Sequence, residues 1–297
     1  MPVKKILITG AGGQVGLETV RRAQAYGFTP IAFNRADLDI TDAVKAARTI
    51  KDIAPAALIN CAAYTHVDKA ENDADAAFEA NALGPKNLAR ACQALDIPLL
   101  HISTDYVFDG CASGLYLETD QVSPINIYGS TKLAGEHAII QNCDKYIILR
   151  TSWVYGVTGE NFIKTMLAIG QGNGHARVVA DQFGSPTFAG DIAETLLKIT
   201  KSYLSRKEAP NGIYHYTGAG ITSWYGFAKV VFKELEAHSN IQVELKAITT
   251  KDRPTPAQRP AHSGLDTSKT AADFNIYPKD WQQSVARATR EILKQVL

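Results

Sequence analysis

The stretch ILITGAGGQVG, residues 6–16, joins a short apolar run directly to a glycine-rich turn and then to a segment with helical periodicity. Gly10, Gly13 and Gly16 have the spacing G-x-x-G-x-x-G. Glycine permits a tight turn and lets backbone N–H groups approach a pyrophosphate at the positive end of a helix. Because a strand, these glycines, a helix and a second strand follow one another in order, the stretch predicts a dinucleotide-binding unit.

Outward from this turn, the first half of the chain alternates apolar runs with longer amphipathic segments, the pattern of β-α units around a parallel sheet. The predicted strands are 6–9, 30–33, 57–60, 98–103 and 146–150, and the predicted helices are 14–26, 42–52, 74–95 and 128–141. We therefore predict an α/β fold, a Rossmann-like doubly wound parallel sheet with a smaller C-terminal substrate-binding lobe. The dinucleotide-binding domain is expected over 1–152, with later segments at about 178–222 returning to it, and the lobe over 153–177 and 223–297.

Composition excludes several classes of partner. With 31 basic and 30 acidic residues, the net charge of +1 gives no electrostatic reason to expect nucleic acid or an anionic membrane. No segment approaches the roughly 18 apolar residues that span a bilayer, and the N-terminal apolar run is too short for a signal peptide, so a cytoplasmic location is expected. The four cysteines are scattered without a Cys-x-x-Cys pair, which favours reduced thiols over a metal cage or a disulfide framework.

The end of the second predicted strand bears on the choice of cofactor. A site that selects NAD usually has an acid there to hold the ribose 2′-hydroxyl, whereas this chain has Asn34 and Arg35. Arg35 could meet a 2′-phosphate, which favours NADPH. Asp37 and Asp39 follow closely, so NADH remains open, as does an exposed loop arginine with no such role.

A tyrosine and a lysine four residues apart follow the fourth predicted strand. Tyr-x-x-x-Lys occurs three times, but Tyr203/Lys207 and Tyr225/Lys229 lie in polar-loop and helix-surface contexts and are interpreted as structural. Tyr128 and Lys132 alone follow a strand that ends in the polar cluster Ser103, Thr104 and Asp105, where ligands of parallel sheets bind. Residues i and i+4 share a helix face, so we expect Lys132 to lower the pKa of the Tyr128 phenol and make it a general acid, with Thr104 holding the reacting oxygen.

These motifs together resemble the short-chain dehydrogenase/reductase superfamily, in its extended branch that modifies sugar nucleotides. The resemblance covers nearly the whole chain. Its most specific strings are STDYVF, RTSWVYG and DQFGSPT, and the full set is GAGGQVG (10–16), NCAAYTHVDKAE (60–71), NALGPKNLA (81–89), STDYVFDG (103–110), YGSTKLAGE (128–136), RTSWVYG (150–156), DQFGSPT (181–187) and RPAHSGLDTSK (259–269).

The resemblance implies an NAD(P)H-dependent reductase acting on the C4 keto group of a dTDP-linked sugar. It assigns catalysis to Thr104, Tyr128 and Lys132. The implied cofactor contacts are Gly10, Gly13, Gln14, Val15, Gly16, Asn34, Arg35, Asp39, Ile40, Ala62, Ala63 and Tyr64, together with Tyr128 and Lys132. The implied substrate contacts are Thr104, Asp105, Tyr106, Trp153, Asn161, Gln182 and Arg259. Trp153 could instead pack the core, and Arg259 could be a solvated loop charge.

Related activities are left as alternatives. The 4,6-dehydratases of this branch carry Asp-Glu after the threonine, whereas Asp105 here precedes Tyr106, which favours reduction over elimination. Another nucleotide-sugar reductase, an epimerase, or a non-catalytic nucleotide-binding regulatory subunit remain rivals. Some relatives bind Mg²⁺ through acids at a dimer interface, and here Glu18 fits but Gly190 does not unless Asp191 compensates. No metal ligand is therefore predicted, Mg²⁺ is doubtful, and a homodimer is left open.

Overall fold

The structure, a computed structural model, describes residues 3–206 and 209–296. Its strands are β1 Lys4–Thr9, β2 Phe28–Phe33, β3 Ala57–Asn60, β4 Leu99–Thr104, β5 Tyr146–Thr151, β6 Val154–Tyr155, β7 His175–Val179, β8 Phe183–Gly184, β9 Thr187–Phe188, β10 Gly212–His215, β11 Thr222–Ser223 and β12 Glu244–Ile248. Its α-helices are α1 Gln14–Ala23, α2 Ala43–Ile53, α3 Val67–Ala70, α4 Ala74–Phe78, α5 Gly84–Ala94, α6 Ile127–Asn142, α7 Phe162–Gly172, α8 Ala189–Ser205, α9 Trp224–His238, α10 Ser268–Phe274 and α11 Trp281–Val296.

A parallel sheet of six strands forms the centre of the molecule, in the spatial order β2-β1-β3-β4-β5-β10. The chain leaves β1 for β2 on one side and returns to β3 on the other, so the strand order reverses between β1 and β3. Loops diverge at such a switch point and leave a crevice at the carboxyl ends of the strands. The predicted α/β class and doubly wound sheet are confirmed, and each of the five predicted strands is present with its bounds within two residues of the prediction.

Helices cover both faces of this sheet. One face packs against α1 and α8, and the other against α2, α5 and α6. Ile6, Leu7 and Ile8 are fully buried as a result, which explains why β1 is a continuous apolar run rather than an alternating one. Across the described parts of the chain, no helix is both long and apolar enough to cross a bilayer.

The predicted helix 74–95 is interrupted. The structure has α4, then a π-helical turn at Glu79–Leu83, then α5. Pro85 lies in the first turn of α5, directly after the π-helical turn, and it has no N–H to bond back to that turn. The widened turn aims buried Asn81 at the loop after β3, where its Oδ1 accepts from the Tyr64 N–H at 2.8 Å and its Nδ2 donates to the Tyr64 carbonyl at 3.0 Å. A single turn with an extra residue thus fixes a loop of the crevice.

A second apolar cluster lies in the C-terminal half. Helices α7, α9 and α11 pack together around Tyr155, Phe227 and Val285, and β7 pairs with β12 beside them. Helix α8 and strand β10 belong instead to the large sheet and its cover. The predicted bounds of the two domains stay a prediction; β7, at the start of the segment predicted to return, pairs within the lobe.

Candidate active site

The glycine turn lies at the end of β1, where the backbone of Gly10 has a φ of +66°. A Cβ on Gly10 would lie 2.6 Å from the Ala62 Cα, so this glycine lets the turn pack against the loop after β3. Gly16 lies below the turn, where a Cβ would collide with the Gly10 carbonyl oxygen. Helix α1 begins after Gly13, which has no side chain to cap it, so its first N–H groups point toward the crevice.

A cavity of about 750 Å³ opens above this turn. The residues around it come from the loops after β1, β2, β3, β4 and β5 and from the start of α6. Its walls include Gly10, Gly12, Gly13, Gln14, Val15, Asn34, Arg35, Leu38, Asp39, Ile40, Ala62, Ala63, Tyr64, Thr65, Val67, Ser103, Thr104, Asp105, Tyr106, Tyr128, Lys132, Thr151, Ser152 and Trp153. The structure therefore brings the glycine turn and the Tyr-Lys helix to one cavity.

The loop after β2 forms the outer end of the cavity. Asn34 Oδ1 accepts from the Ala36 N–H at 2.8 Å and turns the chain, and the Arg35 side chain is 86% exposed with its Nε 3.5 Å from Asp39 Oδ2. Hydrogen bonds from the Thr41 backbone and hydroxyl lower the pKa of Asp39, helped by Arg35 and opposed by burial. The loop presents the long, exposed side chain of Arg35 beside Asp39, whose carboxylate already accepts hydrogen bonds from Thr41. The Arg35 guanidinium is therefore available to an anionic group.

The end of β4 supplies the polar wall. Thr104 Oγ1 donates to Asp105 Oδ1 at 3.0 Å and accepts from the Tyr106 N–H at 3.2 Å. Burial raises the pKa of Asp105 to about 6, against hydrogen bonds from Ser263 and Thr104 that lower it. The Tyr106 ring meets the Tyr128 ring edge to face, with centroids 5.6 Å apart. A carboxyl group, a hydroxyl and two phenols thus converge on one end of the cavity.

The expected lowering of the Tyr128 pKa by Lys132 is wrong for the protein as it stands. Burial raises the pKa of Tyr128 to about 12, a hydrogen bond with Thr104 opposes this, and the charge of Asp105 adds to it. The reason lies in the direction of Lys132, whose Nζ donates to the Ile102 carbonyl oxygen at 2.7 Å and lies 3.2 Å from His101 Nε2. The lysine nitrogen is committed to β4, so the phenol stays in its protonated form at neutral pH.

Trp153 lies between β5 and β6, and its backbone has a φ of +46°, which is rare for a residue with a bulky side chain. Its indole stacks on that of Trp224 at 3.7 Å between ring centroids, with an angle of 7° between planes. Gly184 leaves room for this indole, since a Cβ there would lie 2.6 Å from Trp153 Cε2. The stack holds the ring at the cavity wall, so Trp153 both lines the cavity and packs against the lobe.

The structure places four predicted site residues away from the cavity lining. Gly16 supports the turn by packing, as described. Asn161 caps α7, with Oδ1 accepting from Lys164 N at 3.3 Å and Nδ2 donating to Gly156 O at 2.8 Å. Gln182 donates to Thr250 Oγ1 at 3.1 Å, and Arg259 is paired with Asp68. Their polar groups already have partners within the chain, so their assignment to cofactor or substrate stays a prediction.

The acids considered for Mg²⁺ are also engaged by cations. Glu18 pairs with Arg21 and Arg22, and Asp191 lies 2.7 Å from Lys279 Nζ. Within residues 3–206 and 209–296 no group of three or more metal-ligating side chains is found. The neighbourhood of Glu18 and Asp191 therefore carries its own counter-charges, which gives a bound cation little to neutralise.

Of the other two Tyr-x-x-x-Lys pairs, Tyr203, Tyr225 and Lys229 are not among the residues that line the cavity. Lys229 Nζ lies 5.9 Å from the Tyr225 ring centroid on helix α9. The Tyr203 hydroxyl donates to Asn211 Oδ1 at 2.6 Å, while Lys207 lies outside the described residues.

Several cavity residues were missed from the sequence. Gly12 lines the cavity although it falls outside the glycine spacing, and Thr65 and Val67 follow Tyr64 along the same loop. Asn60 and His101 are fully buried beneath the loop and contact the site residues Ala62 and Lys132. Asn60 ends β3 and His101 lies in the middle of β4, and a buried polar residue within an apolar strand is the signal that could have found them.

A doubly wound sheet with a glycine turn and a Tyr-Lys helix around one cavity defines an oxidoreductase of the extended short-chain dehydrogenase/reductase class. The family model described as RmlD substrate binding domain matches residues 4–294. A dTDP-4-dehydrorhamnose reductase of Aggregatibacter actinomycetemcomitans is 43% identical over 95% of this chain and 97% of that relative. The chain belongs to the dTDP-4-dehydrorhamnose reductase family.

Two solved structures of this family share the fold. The dTDP-4-dehydrorhamnose reductase from Bacillus anthracis str. Ames, in complex with NADP, has a TM-score of 0.90 and 35% identity, covering 97% of this chain and 99% of that one. The orthologue from Clostridium acetobutylicum ATCC 824 has a TM-score of 0.90 and 38% identity, covering 98% and 99%.

Proposed function

We propose that this protein reduces the C4 keto group of dTDP-4-dehydro-L-rhamnose to give dTDP-L-rhamnose, with NADPH as the hydride donor and NADH as an alternative. The observation that carries the proposal is the placement of Thr104, Tyr128 and Lys132 on the same cavity as the glycine turn. The family to which the chain belongs is named for the same activity, and the Bacillus anthracis relative was crystallised with NADP.

The residues of the cavity fit a nicotinamide dinucleotide. The uncapped start of α1 would hold the pyrophosphate above the turn at Gly10, Gly12 and Gly13, because the first N–H groups of a helix have no partner within it. Leu38 and Ile40 are buried beside the outer end and would flank the adenine. Arg35 would meet the 2′-phosphate of NADPH. When bound, the cofactor supplies the hydride, and the protein supplies position and charge.

Tyr128 is the proposed proton donor. Its pKa of about 12 keeps the phenol protonated over the whole physiological range, and the phenol can therefore give its proton to the alkoxide that develops at C4. Thr104 lines the cavity with the phenol and would hold the same substrate oxygen. The balance is simple: the carbonyl carbon gains a hydride, the oxygen gains the Tyr128 proton, and the phenolate is protonated again from solvent.

The substrate would enter on the side of Asp105, Tyr106 and Trp153. These three line the cavity beyond Tyr128 and offer one acceptor, one hydroxyl and one flat apolar face. Sugar rings present both hydroxyls and apolar C–H faces, so this mixture suits a nucleotide-linked sugar. We also propose that residues 1–152 with about 178–222 hold the cofactor and that the remainder of the chain closes over the sugar. A homodimer and a cytoplasmic location stay predictions.

The test is the oxidation of NADPH, and separately of NADH, in the presence of dTDP-4-dehydro-L-rhamnose, followed by the absorbance of the reduced nicotinamide. The product is identified by its mass and by the stereochemistry of its sugar. We expect cofactor oxidation that depends on the sugar nucleotide and yields dTDP-L-rhamnose. Parallel reactions with 4-keto sugars on other nucleotides would reveal a different reductase. Cofactor binding without consumption of any of these substrates would overturn the proposal and favour a regulatory subunit.

A further inference from the structure

A row of buried polar side chains runs under the cavity from β1 to α6. Thr9, Asn60 and His101 are fully buried on three adjacent strands, and Lys132 is 2% exposed. Thr9 Oγ1 donates to Asn60 Oδ1 at 2.7 Å, Asn60 Nδ2 lies 2.9 Å from His101 Nδ1, and His101 Nε2 lies 3.2 Å from Lys132 Nζ. The reaction scheme above uses only the last member of this row.

The orientation of the Asn60 amide is fixed by the backbone. The Ala62 N–H lies 3.0 Å from Asn60 Oδ1, and a backbone N–H can only donate. An amide nitrogen in that place would set two donors against each other inside the protein. The oxygen of Asn60 therefore faces Ala62, and the nitrogen faces His101.

This orientation fixes the tautomer of His101. The Asn60 Nδ2 group donates to His101 Nδ1, so Nδ1 carries no hydrogen. A neutral imidazole without a hydrogen on Nδ1 carries it on Nε2, and an imidazolium would place N–H against N–H. Burial holds the pKa of His101 well below its usual range, which agrees with a neutral ring.

The Nε2–H of His101 then points toward Lys132 Nζ. An ammonium has three N–H groups and no lone pair, so it cannot accept this hydrogen, whereas an amine accepts one and still donates to Ile102 O at 2.7 Å. We propose that His101 is a positioning residue that holds Lys132 as a neutral amine in the cofactor-free protein. The inference deepens the proposed function, on which the catalytic meaning of Lys132 rests.

The other groups around Lys132 leave room for this state. Glu136 lies one turn further along α6, but Arg150 of β5 binds it at two points, with Nε–Oε1 2.9 Å and Nη2–Oε2 2.6 Å, so its charge is already compensated. Cys61, after β3, is a buried thiol whose pKa burial raises to about 12, so it is uncharged. Burial lowers the pKa of Lys132 itself to about 8, and the charge of Glu136 opposes this.

The consequence concerns the proton that the reduction consumes. With Lys132 as an amine, the Tyr128–Lys132 pair holds one transferable proton at rest, on the phenol. Once that proton has gone to the substrate oxygen, a proton from solvent must recharge the pair before the next cycle. His101 thereby sets how many protons the cofactor-free site holds.

The direct test is NMR on the cofactor-free full chain, which needs no turnover. Long-range ¹H–¹⁵N correlation of ¹⁵N-histidine protein gives the tautomer of His101, assigned by its loss in His101→Gln. The ¹³Cε signal of Lys132, assigned through Lys132→Met, gives its titration midpoint. We expect an Nε2–H ring at pH 7 and above and a lysine midpoint below 7, lower than the value of about 8 to which burial brings the pKa of Lys132. An Nδ1–H ring or an imidazolium at pH 7, or a midpoint above 7, would overturn the inference.

Two variants separate positioning from general disruption. A glutamine at position 101 can turn its carbonyl oxygen toward Lys132, so His101→Gln should raise the Lys132 midpoint by about one pH unit or more. His215→Gln removes another fully buried histidine, on β10, and should leave that midpoint unchanged. An unchanged midpoint in His101→Gln would contradict the role; should that variant not fold, His101→Asn supplies the assignment, and the tautomer in the parent decides. Lack of activity on the dTDP sugar would overturn the proposed function alone.

Discussion

Arg259 and Asp68 form a two-point ion pair, with Nη1–Oδ1 2.9 Å and Nη2–Oδ2 2.8 Å. It joins the loop before α10 to the short helix α3, so it links the C-terminal part of the chain to the loop after β3 that lines the cavity. This pairing also makes Arg259 less available to a diphosphate, since both terminal nitrogens of its guanidinium already donate hydrogen bonds to Asp68.

The first prediction uses this pair. Asp68→Asn and Arg259→Met should each lower the free energy of unfolding by about 0.5–1 kcal/mol, and the double variant by no more than their sum, because the pair is partly exposed. Urea denaturation measures this. The KM for the dTDP sugar should change to a similar degree in both single variants. A rise in KM confined to Arg259→Met would instead show that Arg259 leaves Asp68 to bind the substrate.

Tyr128→Phe should remove the proton donor and little else. We expect kcat to fall by about 10²–10⁴-fold, as for the loss of a general acid, while the dissociation constant of NADPH changes by less than about tenfold. Fluorescence titration with NADPH gives the second quantity. Tyr106→Phe is the matched control, since it removes a hydroxyl from the neighbouring ring, and should lose much less kcat. Near-normal turnover of the Tyr128 variant would exclude it as the donor.

Gly16 and Gly13 should respond differently to alanine. A Cβ on Gly16 collides with the Gly10 carbonyl, whereas one on Gly13 meets that oxygen only at 3.4 Å, an ordinary contact. Gly16→Ala should therefore lower the free energy of unfolding by about 1–3 kcal/mol. Gly13→Ala should fold normally and weaken NADPH binding, because its methyl group enters the cavity. Thermal unfolding and NADPH titration distinguish the two; equal stability losses would contradict this assignment.

Asp105 should make stability depend on pH. Its pKa is raised to about 6 from an ordinary 3.8, so the contribution of this group is fully present below 3.8 and is lost as pH rises through 6. Asp105→Asn should thus be more stable than the parent by up to about 3 kcal/mol at pH 8, with the difference shrinking toward pH 4. Urea denaturation across this range is the measurement.

Asp109→Asn provides the control of opposite sign. The Tyr116 hydroxyl donates to Asp109 at 2.6 Å and, with the Cys111 N–H, lowers the pKa of that carboxyl. Its stability contribution is present above the ordinary pKa and lost on acidification, so this variant should be less stable than the parent at pH 8. The same pH trend in both variants would mean that at least one of the two carboxyls does not act as described.

Arg35 should govern the preference between the two cofactors. Arg35→Ser should lower kcat/KM with NADPH about tenfold, equivalent to about 1.4 kcal/mol, and leave the value with NADH nearly unchanged. Arg48→Ser is a matched control, because Arg48 is 84% exposed and also faces an acid four residues along its chain. An equal loss with NADH would indicate that Arg35 shapes the loop rather than reading the phosphate.

The sheet and its glycine turn could be predicted from the sequence because their signals are local. The apolar run 6–9 and the glycines after it lie within one short segment, and the carboxyl ends of parallel strands then bring Thr104 and Tyr128 to the same edge. The interrupted helix at Glu79–Leu83 could not be predicted, because the π-turn is stabilised by the bond between Asn81 and a loop distant in sequence.

The direction of side chains was the harder problem. The spacing of Tyr128 and Lys132 places both on one helix face. The position of β4 beneath that face decides that Lys132 Nζ reaches Ile102 O and His101. Likewise, Arg259 looks like a free cation in the sequence, and the partner that engages it is 191 residues away. Rotamers of long side chains depend on tertiary neighbours, which a linear pattern does not contain.

The stacked indoles of Trp153 and Trp224 have an optical consequence. The chain has three tryptophans, and two of them form one pair at the edge of the crevice, with Trp281 buried apart in the lobe. The tryptophan fluorescence of this chain therefore reports chiefly on the edge of the cavity. A dihydronicotinamide bound beside Trp153 would quench this fluorescence by energy transfer. The protein thus has an intrinsic fluorophore at the place where ligands bind.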